Sequence, residues 1–337
     1  MMSSLRSIAS LKLTLVGMIW LALVSLAVAG EDGIDAGFAA LPILVLVINL
    51  LAALLTNRSF RTQAGLLVFH VGLFLVFLLA GLTVLVRFEG HVEVVQGSAF
   101  AARSVTVTER GWLHRGNLDR VRFTQGELRV DYRPQLRRQH TRSTVNLVDD
   151  QVAPRPTVIG DRETLTMDGY RIAATFNKGF AVVLGWHGND GHTEYGAVHF
   201  PSYPENDWNQ RIDWTTPGGE TLVMELELSE EPLRTDENWT LGRTDLPFTM
   251  RIFGDDEREV AAGESVTVTA GRVSVEDLRL WMGYRIDYLP LLPWMLVAAF
   301  LAIAGLAMHY RTHYLSPRKQ PLRAVAKHGG TPDVTPA

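Results

Sequence analysis

The sequence predicts an α+β membrane protein: four transmembrane helices and one large antiparallel β-rich domain on the outer side of the membrane. Three observations predict it. Four stretches of roughly 20 residues are apolar and free of Asp, Glu, Lys and Arg, which is the helical length that crosses a bilayer core. Lys and Arg flank these stretches on alternate sides. The long polar middle of the chain alternates apolar and polar residues at period two.

The four spans are residues 13–29, 37–55, 64–86 and 289–308. Arg6 and Lys12 precede the first, and Arg58 and Arg61 lie between the second and third. Arg311, Arg318, Lys319, Arg323 and Lys327 follow the fourth. The turn between the first two spans carries only acids, Glu31, Asp32 and Asp35. Because Lys and Arg are retained on the cytoplasmic side, both termini are expected there, with residues 87–288 outside and 309–337 as a cytoplasmic tail. The alternative for the first span is a cleaved signal peptide ending at Leu26-Ala27-Val28-Ala29. Cleavage would leave an odd number of spans and break the agreement of the remaining charges.

Residues 87–288 read as strands. Alternation appears in Val92-Glu93-Val94-Val95, in 104–108, in 222–228, in 265–269 and in 272–275. Gly- and Asp-rich breaks separate the runs, as at Asp168-Gly169, Gly188-Asn189-Asp190-Gly191, Gly218-Gly219 and Gly254-Asp255. A sandwich or an open barrel is the expected architecture. The tail from residue 315 onward, with its Pro, Lys and Arg, is expected to be disordered.

The chain has 337 residues, a net charge of −4 and no cysteine. That charge gives no basis for nucleic-acid binding. The missing cysteines exclude disulfides, thiol redox chemistry and Cys-ligated metals, and the C-x-x-C-H attachment motif with them. There is no G-x-S-x-G, no phosphate loop and no H-E-x-x-H, so no catalytic constellation is identified.

His70 is the most informative residue. It lies within the third span, roughly 10 Å in from the cytoplasmic end at ~1.5 Å per residue. An ionisable ring at that depth turns toward protein, ligand or cavity. Neutral imidazole is a good axial ligand for haem iron, and Phe69, Gly72, Phe74 and Phe77 suit a flat apolar slot. The plain alternative is a hydrogen bond to a neighbouring helix. His309, with His313 four residues later, falls in the same leaflet, so a site joining His70 and His309 is conceivable; interfacial anchoring is the alternative. In the outer domain His187, His192 and His199 accompany Asp190 and Glu194 without any zinc-motif spacing, and no metal site is assigned. The aromatics around them (Trp186, Tyr195, Phe200, Tyr203, Trp208 and Trp214) suggest a partner-docking surface instead. Asn49 in the second span reads as helix–helix glue.

Taken together, the chain resembles the ResB family of system II cytochrome c biogenesis. The resemblance rests on Ser10-Leu11-Lys12-Leu13-Thr14-Leu15 before the first span and on the Asn49 segment followed by Arg58. It continues in Gly65-Leu66-Leu67-Val68-Phe69-His70-Val71-Gly72-Leu73, in the glycine-punctuated stretch from Phe88 to Gly97, in Asn177-Lys178-Gly179-Phe180 and in Trp281-Met282-Gly283-Tyr284. It covers the whole chain in architecture, although this chain is short for the family. The resemblance implies a multi-pass protein of a bacterial inner (plasma) membrane, working with a ResC/CcsA-like membrane protein. Together such a pair moves haem b, as transient cargo, across the bilayer and attaches it to apocytochrome c. The family's third-span histidine is treated as a haem ligand, and His70 occupies its position. Its axial partner in that picture belongs to the other subunit, which weakens the case for His309. The chain alone would not be an enzyme. A scaffold of the same fold that binds no haem is the alternative function.

Overall fold

The computed structural model describes residues 7–30, 34–149, 152–229, 233–253 and 257–315. Glu31 and Asp32, the break at Gly254-Asp255 and the cationic tail beyond residue 315 lie outside the described residues. The chain divides into two units: Met1–Leu26, Leu41–Ala80 and Pro293–Ala337 form the first, and Ala27–Ala40 with Gly81–Leu292 the second.

Four helices are long and apolar enough to cross a membrane. They are α1 (Leu11–Val28), α2 (Ala40–Thr56, led in by a 3₁₀ turn at Ala36–Ala39), α3 (Ala64–Val86) and α4 (Leu292–Tyr310). Each lies within a few residues of its expected position. The fourth starts at Leu292 rather than 289, because Pro290 disfavours helix in the residue before it while Pro293 suits a first helical turn.

Two contacts organise the first unit. Asn49 is 5% exposed on α2; it accepts from Thr14 Oγ1 at 2.8 Å and donates to the Ile8 and Ser10 carbonyls at 2.6 and 3.1 Å. Its reading as helix–helix glue therefore holds, with the first helix's lead-in as partner. The second contact is a line of small residues. A Cβ on Gly65 would strike the His309 backbone, one on Gly72 the Ala302 backbone, and one on Gly305 the Phe69 backbone. Two helices approach this closely only where side chains are absent or minimal.

The second unit is a large antiparallel β domain and not a closed barrel. Its strands are β1 (Phe88–Val95), β2 (Thr106–Arg110), β3 (Phe123–Arg133), β4 (Arg137–Asp149) and β5 (Val152–Gly160). Then come β6 (Leu165–Met167), β7 (Tyr170–Gly188), β8 (Thr193–Ser202), β9 (Arg211–Thr215) and β10 (Thr221–Leu228). The last are β11 (Trp239–Leu241), β12 (Phe248–Phe253), β13 (Glu257–Ala261), β14 (Ser265–Val268) and β15 (Gly271–Tyr288). The largest sheet runs β2-β1-β15-β7-β6, with β14 added to β15 and β8 to β7; two four-stranded sheets run β13-β12-β10-β9 and β11-β3-β4-β5. All three contribute to one apolar core, for example through Val182 and Leu280, Met224 and Met250, and Val130 and Val145.

The long strands β7 and β15 form the spine of the domain, paired from Tyr170↔Tyr288 to Gly188↔Gly271. Their register shifts twice, between Val275 and Asp277 and between Met282 and Tyr284. Bulges of this kind bend a strand, so β15 can serve one sheet partner at each end. β1 pairs its outer half, Phe88↔Tyr288 through Val95↔Trp281. Thus the strand that follows α3 lies beside the strand that precedes α4.

Candidate functional site

His70 is half-buried on α3. Its Nδ1 lies 2.8 Å from the Leu66 carbonyl oxygen. A carbonyl can only accept, so Nδ1 carries a proton and donates this bond, and in a neutral ring the lone pair would lie on Nε2. Among the described residues Nε2 has no hydrogen-bond partner. Phe60 packs on one side of the imidazole at 4.3 Å between centroids, and Phe69 meets its edge at 5.0 Å. Phe60 is buried on the short helix Arg58–Thr62, which Asn57 caps by accepting from the Ser59 N–H. The chemistry available here is that of an imidazole beside apolar rings, held at Nδ1 with Nε2 left over. That is the form in which histidine donates to a metal centre.

His309 is placed differently. Its backbone faces Gly65, and its ring stacks on His313 at 5.6 Å with planes 9° apart. At ~100° per residue, His70 lies about 140° around α3 from the Gly65–Phe69–Gly72 face that meets α4. No ring contact or hydrogen bond joins His70 to His309 among the described residues. The two histidines share a unit, but the structure does not bring their rings together.

The histidines His187, His192 and His199 of the β domain are dispersed. His187 sits 3.4 Å from Thr193 Oγ1, His192 3.6 Å from Glu194, and His199 donates through Nδ1 to Glu93 at 2.8 Å. Among the described residues no three His, Asp or Glu side chains converge as a metal set. The aromatic docking surface needs correction. Trp186, Phe200 and Tyr203 are buried in the core, the first two on inward-facing strand positions and Tyr203 in the turn after β8. Tyr195 and Trp208 are exposed, and Trp214 is half-buried against Trp186. His199 stacks on buried Trp281 at the wall of a cleft of about 720 Å³, which His91, Glu93, Arg103 and Asn177 also line.

Two further groups were not identified as sites from sequence. Lys178 is wholly buried, and its Nζ donates to Glu205 at 2.5 Å and to the Phe176 carbonyl at 3.0 Å. Burial holds its pKa below the ordinary lysine value, and Glu205 opposes that shift. The signal was present: Lys178 opens directly onto the apolar run Gly179-Phe180-Ala181-Val182-Val183-Leu184. His114 gave no such signal. Its Nδ1 donates to the Val86 carbonyl at 3.0 Å, and its Nε2 faces the Tyr170 hydroxyl at 2.8 Å. Burial raises the Tyr170 phenol to about 12, so it stays protonated where it meets that nitrogen.

No protein-family model matches the chain, and no curated protein matches its sequence.

Proposed function

We propose that this protein is the membrane subunit of a system II cytochrome c haem-attachment complex. It crosses a bacterial inner membrane four times, with residues 87–288 outside and both termini in the cytoplasm. His70 holds haem b as cargo, and a ResC/CcsA-like partner supplies the opposite axial ligand and the outer haem-handling site. The β domain receives apocytochrome c, for which the cleft beside His199 and Glu93 offers polar walls and the cation Arg103. Covalent attachment requires haem and substrate thiols in one place, so the contribution of this chain is proximity rather than chemistry.

One observation carries this reading: an apolar helix of membrane-spanning length contains a histidine that donates through Nδ1 to its own helix, with no partner for Nε2 among the described residues. Flanking charge supports the topology, and the resemblance to the ResB family supports the cargo. His309 is left aside because its ring is engaged with His313. The scaffold alternative draws on the same hydrogen bond, since Leu66 alone already satisfies one ring nitrogen.

The test is the absorption spectrum of the protein purified after co-expression with its partner. A Soret band is expected, lost on His70→Ala and retained on His309→Ala. No band in the wild-type complex would leave the scaffold.

A further inference from the structure

The connection between β2 and β3 is fastened to the end of α3. The last carbonyls of a helix have no partner within it. Here the Arg87 carbonyl accepts from Gly111 N–H at 2.9 Å, the Leu85 carbonyl from Leu113 N–H at 2.7 Å, and the Val86 carbonyl from His114 Nδ1 at 3.0 Å. Gly111 is required for this approach, because a Cβ there would strike the Leu85 carbonyl. The loop therefore cannot swing away from the helix end without giving up three hydrogen bonds.

So fastened, the loop turns its apolar side chains outward. Trp112 is 67% exposed and Leu113 51%. A core has no use for them there, and a water-facing loop gains nothing by showing them. The ring of Trp112 also lies over Gly37, which a Cβ would bring within 3.3 Å of the indole. Beneath it is a cavity of about 340 Å³ where the ends of three apolar segments meet, Val28 of α1, Ile34 and Gly37 before α2, and Val84 and Leu85 of α3, together with the charged Asp35, Arg87 and Glu109. Three helix ends that reversing spans would place at one membrane face thus meet at one spot. Arg110 and Arg115 flank the apolar pair, both exposed and without an ion pair among the described residues.

Tryptophan beside a helix end, with cations next to it, is the composition that settles at the headgroup layer, where the ring stays half in hydrocarbon and guanidinium meets phosphate. We propose that Trp112 and Leu113 insert into the outer leaflet and hold phospholipid there, anchoring the β domain at the bilayer surface. This rests on the helices crossing a membrane but not on haem. The occupant is lipid rather than a protein partner because Ile34 and Phe38, exposed on either side of Gly37 at the start of a helix of membrane-spanning length, extend the apolar surface of Trp112 and Leu113.

The absence of cysteine allows a direct test. Single cysteines at Leu113, Tyr195 and Phe300 carry an environment-sensitive fluorophore in the full chain, reconstituted in phosphatidylcholine vesicles with lipids brominated either near the headgroup or near the chain ends. Phe300 lies at the middle of α4 and Tyr195 on the far stretch of β7–β8, opposite Gly185. The label at Leu113→Cys is expected to be quenched several-fold more by the shallow bromines than the label at Tyr195→Cys, and adding Trp112→Ala reduces that quenching. The label at Phe300→Cys reports the deep bromines. If position 300 is quenched while 113 behaves as 195 does, the anchor is overturned and the spanning helices stand. If 300 is not quenched, the membrane reading falls and takes the anchor with it.

Discussion

His70 is half-buried on an apolar helix and Lys178 wholly buried in the β domain, and their polar atoms are met differently. The imidazole donates through Nδ1 to a carbonyl of its own helix, at Leu66. The ammonium must be paired, and Glu205 with the Phe176 carbonyl does so. Burial is the larger influence on Lys178 and lowers its pKa. A lowered lysine pKa means that the unfolded chain binds more protons in the interval between the folded value and 10.5, so the lysine's contribution to stability rises with pH across that window. Lys178→Met removes the ammonium at similar volume, while half-exposed Glu205 returns to water. The variant is expected to melt at the same or a higher temperature at neutral pH and to gain less than wild type as pH rises toward 10. A marked fall in melting temperature for Lys178→Met would show that the pair itself stabilises the fold. His70 was legible because ionisable residues inside apolar runs are rare and so demand a reason. His114 was not, because its partners Val86 and Tyr170 are distant in sequence and only the folded β2–β3 connection brings them together.

Among the elements, the apolar helices were legible nearly to the residue, since length and charge depletion determine them without reference to neighbours. The short alternating strands were legible for a related reason: the runs at 92–95, 222–228 and 265–268 all fall in strands whose period-two burial matches their pattern. The long strands were not. β7 buries five consecutive residues, Lys178–Val182, and its register against β15 shifts on either side of them, so its alternation is interrupted there. The same strands hold a polar triangle that no local pattern announces. Tyr284 donates to Gln125 Oε1 at 2.5 Å, Gln125 Nε2 donates to Ser143 at 2.7 Å, and Ser143 and Tyr284 lie 2.6 Å apart. All three are buried, and burial keeps the Tyr284 phenol protonated by raising its pKa. The triangle ties β15 to β3 and β4 through side chains. Tyr284→Phe leaves two buried polar groups short of a partner and is expected to cost about 1–3 kcal/mol in the denaturation of the purified protein. A variant as stable as wild type would mean that the triangle adds nothing to the sheet contacts.

For the molecule entire, sequence and structure agree on two kinds of architecture in one chain: apolar helices at both ends and an antiparallel β domain between them. Flanking charge predicts how they would lie in a bilayer. Arg58 and Arg61 in the short link between α2 and α3 argue for a cytoplasmic link, and the β domain then emerges on the far side. Cysteine at Trp208 is expected to react with a membrane-impermeant maleimide in intact cells once an outer membrane, where present, is opened. Cysteine at Gln63 is expected to react only after the inner membrane is opened. The reverse pattern would invert the topology and place the β domain in the cytosol. The claim on which the functional account turns is narrower, namely that Nε2 of His70 is the ligand. The most direct measurement is chemical rescue. His70→Gly, purified with its partner, is predicted to lack the wild-type Soret band and to regain it when free imidazole is added. A glycine variant whose spectrum already equals wild type, with no response to imidazole, would contradict it.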